Sequence, residues 1–167
     1  MGKSAVILGI DPASTKIALV ALTEDGKYMS LSNAKLGKSG GEACYNATTV
    51  TKKFLEEVQK KLGKISFAFI ESPVVGRGGV RSTMVQCFTS GAIQAVLYEC
   101  GIPTQAANVS SWKKSVIGKG NATKEEVAEH LRYRWSALHK SANGNQDLID
   151  ASCIALYGQS IILGRMV

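Results

Sequence analysis

Three acidic stretches hold most of the chemistry this chain could perform. Ile7-Leu8-Gly9-Ile10-Asp11 ends an apolar run on a carboxylate, and Phe67-Ala68-Phe69-Ile70-Glu71 does the same. Asp147 and Asp150 stand three residues apart at the start of an apolar segment, Asp147-Leu148-Ile149-Asp150-Ala151-Ser152. Hard oxygen donors of this kind suit Mg²⁺ or Mn²⁺. Two such ions about 3.5–4 Å apart can activate a water and stabilise a departing oxygen in phosphodiester hydrolysis. Taken singly, each acid has a plainer role: a cap after a strand for Asp11, a surface acid for Glu71, favourable charges at a helix N-terminus for Asp147 and Asp150. Their conjunction points to metal-assisted phosphate chemistry.

These acids need elements that bring them together. Residues 4–10 form a continuous apolar run rich in β-branched types, as in a strand buried on both faces. Residues 16–23 and 27–33 read as two more strands around the Asp25-Gly26 hairpin turn. Helical spacing over 42–62 places Ala43, Ala47, Val50, Phe54, Leu55, Val58 and Leu62 on one stripe, and Gly63 ends the helix. A fourth strand covers 65–70, followed by a Gly-rich loop from Ser72 to Ser82. An apolar helix spans 83–100, and a short strand 102–108. Ser110 or Ser111 caps a short helix through Val116, and Thr123 with Glu126 fits a capping box opening another. Residues 136–145 read as a polar loop before a last helix over 146–162.

The expected fold class is α/β. Three hairpin-connected antiparallel strands precede two parallel ones in a five-stranded mixed sheet with helices on both faces. If the strands ending in Asp11 and Glu71 are parallel neighbours about 4.8 Å apart, their carboxylates meet at the carboxyl edge where such sheets bind ligands. Asp147 and Asp150 share one helical face, which can lie across that edge.

The chain has 167 residues, 45% of them hydrophobic, which suits one domain over 1–167 with a packed core. The net charge of +7 favours an anionic partner, nucleic acid ahead of a membrane surface. No run approaches the roughly 18 apolar residues of a spanning helix. Lys3 is followed at once by a strand-like run, which is not a signal peptide. Together these give the expectation of a cytoplasmic, nucleoid-associated protein or one in an equivalent DNA-containing compartment. Cys44, Cys87, Cys100 and Cys153 match no zinc spacing and read as reduced core residues. His130 and His139 read as surface residues rather than ligands.

The order Gly9-Ile10-Asp11-Pro12-Ala13-Ser14, a strand ending in Glu71, the run 116–127 (VIGKGNATKEEV) and the run 147–156 (DLIDASCIAL) resembles the RuvC family of Holliday junction resolvases. The resemblance spans residues 5 to about 158 and implies an RNase H-like nuclease. It implies Asp11, Glu71, Asp147 and Asp150 as catalytic acids holding two Mg²⁺ or Mn²⁺ ions, with Asp11 bridging both. It places Lys113 and Lys124 near the scissile strand, flanking Gly118-Lys119-Gly120. Lys114 and Lys119 join them as DNA contacts, and the alternative for such lysines is a solvated helix end. It further implies a homodimer that nicks a four-way junction at two symmetric positions, with the apolar helix 83–100 at the dimer contact or simply buried on the sheet. A helicase partner is compatible with this reading and has no motif of its own here.

Two departures stand out. Ala13 occupies a position where the family usually has glycine, so the turn after Asp11 is expected to differ. Val74 and Val75 stand near the place of an aromatic wedge, and a valine cannot stack on a base. Arg77 and Arg81 grip phosphates there instead, or belong to an ordinary polar loop. The main alternative is a less selective RNase H-like nuclease acting on forks, flaps or RNA. A junction-binding module without catalysis is disfavoured by the presence of all four acids. Residues 9–17 also resemble the phosphate loop of sugar kinases and actin-like ATPases, which need a second domain and leave the 147–150 acids unexplained.

Overall fold

A computed structural model describes residues 4–33, 35–37, 40–75 and 79–164. The elements follow in the order β1 (Val6–Pro12), β2 (Ile17–Thr23), β3 (Tyr28–Asn33), α1 (Gly40–Lys61), β4 (Ile65–Glu71), α2 (Gly79–Glu99), β5 (Thr104–Ala107), α3 (Val109–Ile117), α4 (Lys124–Arg134), α5 (Ser136–Ala142) and α6 (Gln146–Leu163). The five strands form one sheet in the order β3-β2-β1-β4-β5. β1 pairs antiparallel with β2, as β2 does with β3, while β1–β4 and β4–β5 are parallel. This is the mixed sheet that the hydrophobic runs predict.

Strand pleating sorts the core into two halves. Val6, Leu8 and Ile10 pack with Phe54, Val58, Ile93 and Leu97 from α1 and α2. Ile7 and Phe69 face the other way, into a cluster with Trp112, Val127, Leu138 and Ile154 from α3 to α6. Alternate residues share a face, so 7, 9 and 11 point toward α6, as do 67, 69 and 71. Asp11 and Glu71 therefore belong to the α6 side of the sheet.

Two glycines seat α6 against β1 and fix its direction. A Cβ at Gly9 would lie 2.1 Å from the carbonyl oxygen of Ala151 and 2.4 Å from the nitrogen of Ala155. A Cβ at Gly158 would lie 2.4 Å from the Phe69 ring and 2.8 Å from Ile7. The helix therefore touches β1 backbone to backbone and runs antiparallel to it. Gly158 lies over Ile7, Ala151 and Ala155 lie over Gly9, and the N-terminal turn with Asp147 and Asp150 lies over the Asp11 end.

Several boundaries differ from the sequence expectation. Residues 136–142, expected in a polar loop, form α5, with Leu138 and Ala142 buried. Two apolar residues four apart are too short a pattern to reveal a helix, and tertiary packing decides it. Asn108, not Ser110 or Ser111, caps α3, its side-chain oxygen accepting from the Ser110 N–H at 3.0 Å. The capping box of Thr123 and Glu126 forms as expected. α2 starts at Gly79, so Arg81 stands in its first turn rather than in a loop.

Of the cysteines, Cys153 is buried and Cys44 half-buried, but Cys87 and Cys100 are exposed. The apolar residues of α2 are spread around the helix, so Val80, Met84, Phe88 and Tyr98 stay exposed on its outward face. Among the described residues no helix is long and apolar enough to cross a membrane.

Candidate active site

β1 delivers Asp11 and β4 delivers Glu71. The parallel register pairs Ile10 with Ile70, so one further step sets Asp11 abreast of Glu71. α6 delivers Asp147 and Asp150 from its first two turns, with Asn145 capping the helix through the Leu148 N–H at 3.2 Å. Burial holds the Asp11 carboxyl well above the usual carboxylate range, and the charges of Glu71, Asp150 and Asp147 push it further, with Lys16 opposing. Burial also pushes Glu71 up to about 7, against a hydrogen bond from Trp112 and the charge of Lys113, while Asp150 adds to the rise. Asp150 is raised chiefly by burial and also by Asp147, with Gln146, Lys113 and Lys124 opposing. Four carboxylates from three elements thus act on one another through a poorly hydrated space.

Each acid reached by a neighbour is held by it. Lys16 pairs with Asp147 Oδ2 at 3.0 Å. The Trp112 indole N–H donates to Glu71 Oε2 at 3.0 Å, and the Gln146 amide donates to Asp150 Oδ1 at 2.8 Å. Among the described residues no three acid, histidine or cysteine side chains gather closely enough to ligate one ion as they stand. The donor set nonetheless fits a divalent cation in its chemistry: every donor is oxygen, and the partly buried carboxylates repel one another until positive charge is supplied.

The basic residues separate into groups. Lys113 and Lys124 act on the carboxylates from α3 and α4, and Lys113 Nζ donates to the Ala122 carbonyl at 2.8 Å. Lys114 is exposed on α3, while Lys119 pairs with Glu126 at 2.6 Å, a surface contact easily exchanged for a phosphate. Arg81 is exposed at the start of α2, and Arg77 lies outside the described residues. Val74 and Val75 are exposed beyond β4. Ala13 fits its turn, its N–H donating to the Lys16 carbonyl at 2.9 Å with no positive φ.

Sequence reasoning missed Lys16, Trp112 and Gln146. Gln146 carried a signal, standing four residues before Asp150 on one helix. Lys16 and Trp112 did not, because their partners lie 131 and 41 residues away.

The raised Glu71 couples stability to pH in the metal-free protein. Unfolded, this carboxyl ionises near 4.5, and folded it ionises near 7. Between these values the native state keeps a proton that the unfolded chain releases, so stability falls as pH rises. The penalty is absent below the lower value, complete above the upper one, and of order 3 kcal/mol. Glu71→Gln is expected to melt at about the wild-type temperature at pH 5 and above it at pH 8. Parallel melting curves across that range would remove the assignment.

No protein-family profile matches the chain. It is 26% identical over 157 residues to a crossover junction endodeoxyribonuclease RuvC of Ehrlichia ruminantium, covering 90% of this chain and 93% of the relative. It is 25% identical over 161 residues to the RuvC of Ruegeria pomeroyi, covering 95% and 96%. The fold matches Thermus thermophilus RuvC, solved in complex with a Holliday junction substrate, with a TM-score of 0.73 at 26% identity over 96% of both chains. The chain is similar to RuvC proteins in both sequence and fold. The RuvC likeness covers 90% to 96% of the chain.

Proposed function

We propose that the chain is a structure-selective endodeoxyribonuclease that resolves four-way (Holliday) DNA junctions by paired symmetric nicks, acting as a single nuclease domain over residues 1–167. The observation that carries this reading is the sheet edge where the β1–β4 register sets Asp11 abreast of Glu71 and the seating of α6 brings Asp147 and Asp150 over the same end. Those four acids would hold two Mg²⁺ or Mn²⁺ ions. When bound, such ions lower the pKa of a water and offset charge on the leaving oxygen.

The chain's own residues do the rest. Asp11 stands at the end of β1, its backbone held by pairing with Ala18 of β2. Lys113 and Lys124 offset phosphate charge beside the acids. Lys114, Lys119 and Arg81 supply exposed cations for more distant phosphates, and Arg77 is assigned to that group from sequence. Gly118, with φ 85, ends α3 in a left-handed turn open to solvent, where backbone can approach DNA.

The dimer reading rests on the outer face of α2. Val80, Met84, Phe88 and Tyr98 recur at helical spacing, and each is at least 51% exposed. A stripe of this kind fits a second copy across a two-fold axis, matching the pseudo-symmetry of a junction. Phe88→Glu is expected to give a monomer in sedimentation that nicks single strands without pairing the nicks. A dimer of unchanged stability would remove α2 from the interface.

The functional test offers labelled junction, linear duplex, fork and flap DNA with Mg²⁺ or Mn²⁺. Paired nicks in the junction alone support resolution. Equal cutting of forks and flaps supports a less selective nuclease, a reading favoured by the exposed Val74 and Val75 near the place of a stacking aromatic. Binding without cutting in either metal would sink both.

A further inference from the structure

The Glu71 backbone is fixed from the β5 side. It pairs with Ala107 of β5, and the Ser72 N–H donates to the Ala107 carbonyl at 2.9 Å. The side chain beyond it still has three torsions, and a glutamate free to rotate loses much of its value as a ligand. One contact removes that freedom. Trp112 comes from α3, is 1% exposed, and packs in the same core half as Phe69 and Val116. Its indole N–H reaches Glu71 Oε2 at 3.0 Å. A buried indole N–H needs an acceptor, and this one is met by a carboxylate oxygen rather than by backbone.

The indole is itself well held. Asn108 caps α3 at one end and Gly118 closes it at the other. The next residue, Lys113, ties α3 to the Ala122 carbonyl and places Nζ 5.6 Å from the indole centroid. Packing alone would be served by phenylalanine, but only tryptophan supplies the donor.

We propose that Trp112 is a positioning residue for Glu71: its N–H engages one carboxylate oxygen, sets the carboxylate plane, and leaves the other oxygen for a divalent cation. This rests on the two-metal reading above.

The test uses the full chain without DNA. Trp112→Phe is expected to weaken Mn²⁺ binding by about tenfold in calorimetry, as loss of a hydrogen bond to a ligand does. Nicking at saturating Mn²⁺ should stay within a few-fold of wild type, so the loss falls on metal half-saturation rather than on kcat. Val116→Ala, in the same helix and core half, should be destabilised yet bind Mn²⁺ normally. In a Glu71→Gln background, Trp112→Phe should add no further loss.

A second readout leaves position 112 intact. The chain has two tryptophans, so Trp135→Phe isolates the Trp112 indole N–H resonance. Mg²⁺ should shift that resonance with the half-saturation of binding, and Glu71→Gln should shift it without metal. Wild-type Mn²⁺ affinity in Trp112→Phe, or a resonance that neither Mg²⁺ nor Glu71→Gln moves, would overturn the positioning role alone. A wild-type chain that binds no Mn²⁺ would overturn the two-metal reading beneath it.

Discussion

Asp11→Asn is expected to lose junction nicking by at least about 10³-fold, since metal-based charge stabilisation is worth several kcal/mol and each 1.4 kcal/mol is tenfold in rate. Junction binding should persist, because the proposed DNA contacts are lysines and arginines on other elements. The same substitution should raise the melting temperature of the metal-free protein. Asp11 is half-buried, and desolvation together with the charges of Glu71, Asp150 and Asp147 disfavours its charged form in the native state. An amide of the same shape removes one of four repelling charges. Single-turnover nicking on labelled junction, a gel shift in EDTA and a thermal melt measure the three effects. Cutting within tenfold of wild type would take Asp11 out of the reaction. A lower metal-free melting temperature would show that its carboxylate supports the fold instead.

Gly9→Ala is expected to be the most damaging single-methyl change in the chain. The added carbon would meet the Ala151 carbonyl oxygen at 2.1 Å and the Ala155 nitrogen at 2.4 Å. Both are helix backbone, so no side chain can swing aside, and α6 must lift from β1. Overpacking of a tight core costs about 1–3 kcal/mol and more where backbone must move. The cost here should reach the upper end or beyond, as a lower urea midpoint. Lifting α6 also carries Asp147 and Asp150 away from Asp11, so nicking should fall further than stability accounts for. Gly91→Ala, on the exposed face of α2 with nothing within 4 Å, is the matched comparison. In that open helical position alanine stabilises the monomer by up to about 1 kcal/mol. Equal urea midpoints for the two variants would mean that α6 is not seated on β1 through Gly9.

The three inner strands β2, β1 and β4 were legible because each is an apolar run. Residues 6–10 and 68–70 are buried on both faces, and their hydrophobicity is continuous enough to read directly. The capping box at Thr123 was legible because it is local. α5 was not, since its two buried residues, Leu138 and Ala142, are apolar only where α6 gives them something to pack on. The exposure of Cys87 was hidden for a related reason. A helix such as α2, whose apolar residues are spread around it rather than gathered on one face, does not say which side the sheet will cover.

The sequence by itself determined which residue types stand at the strand ends and helix start, and so the class of chemistry proposed for them: oxygen donors at positions 11, 71, 147 and 150. Spacing along the chain is a one-dimensional quantity, and it also established that 147 and 150 share a helical face. Only the tertiary structure decided that this face lies over Asp11, because the direction of α6 depends on where Gly9 and Gly158 let two backbones touch. It also decided which neighbours hold the acids, since Lys16, Trp112 and Gln146 meet their partners through packing, and two of those contacts join residues too distant in sequence for any local pattern to register.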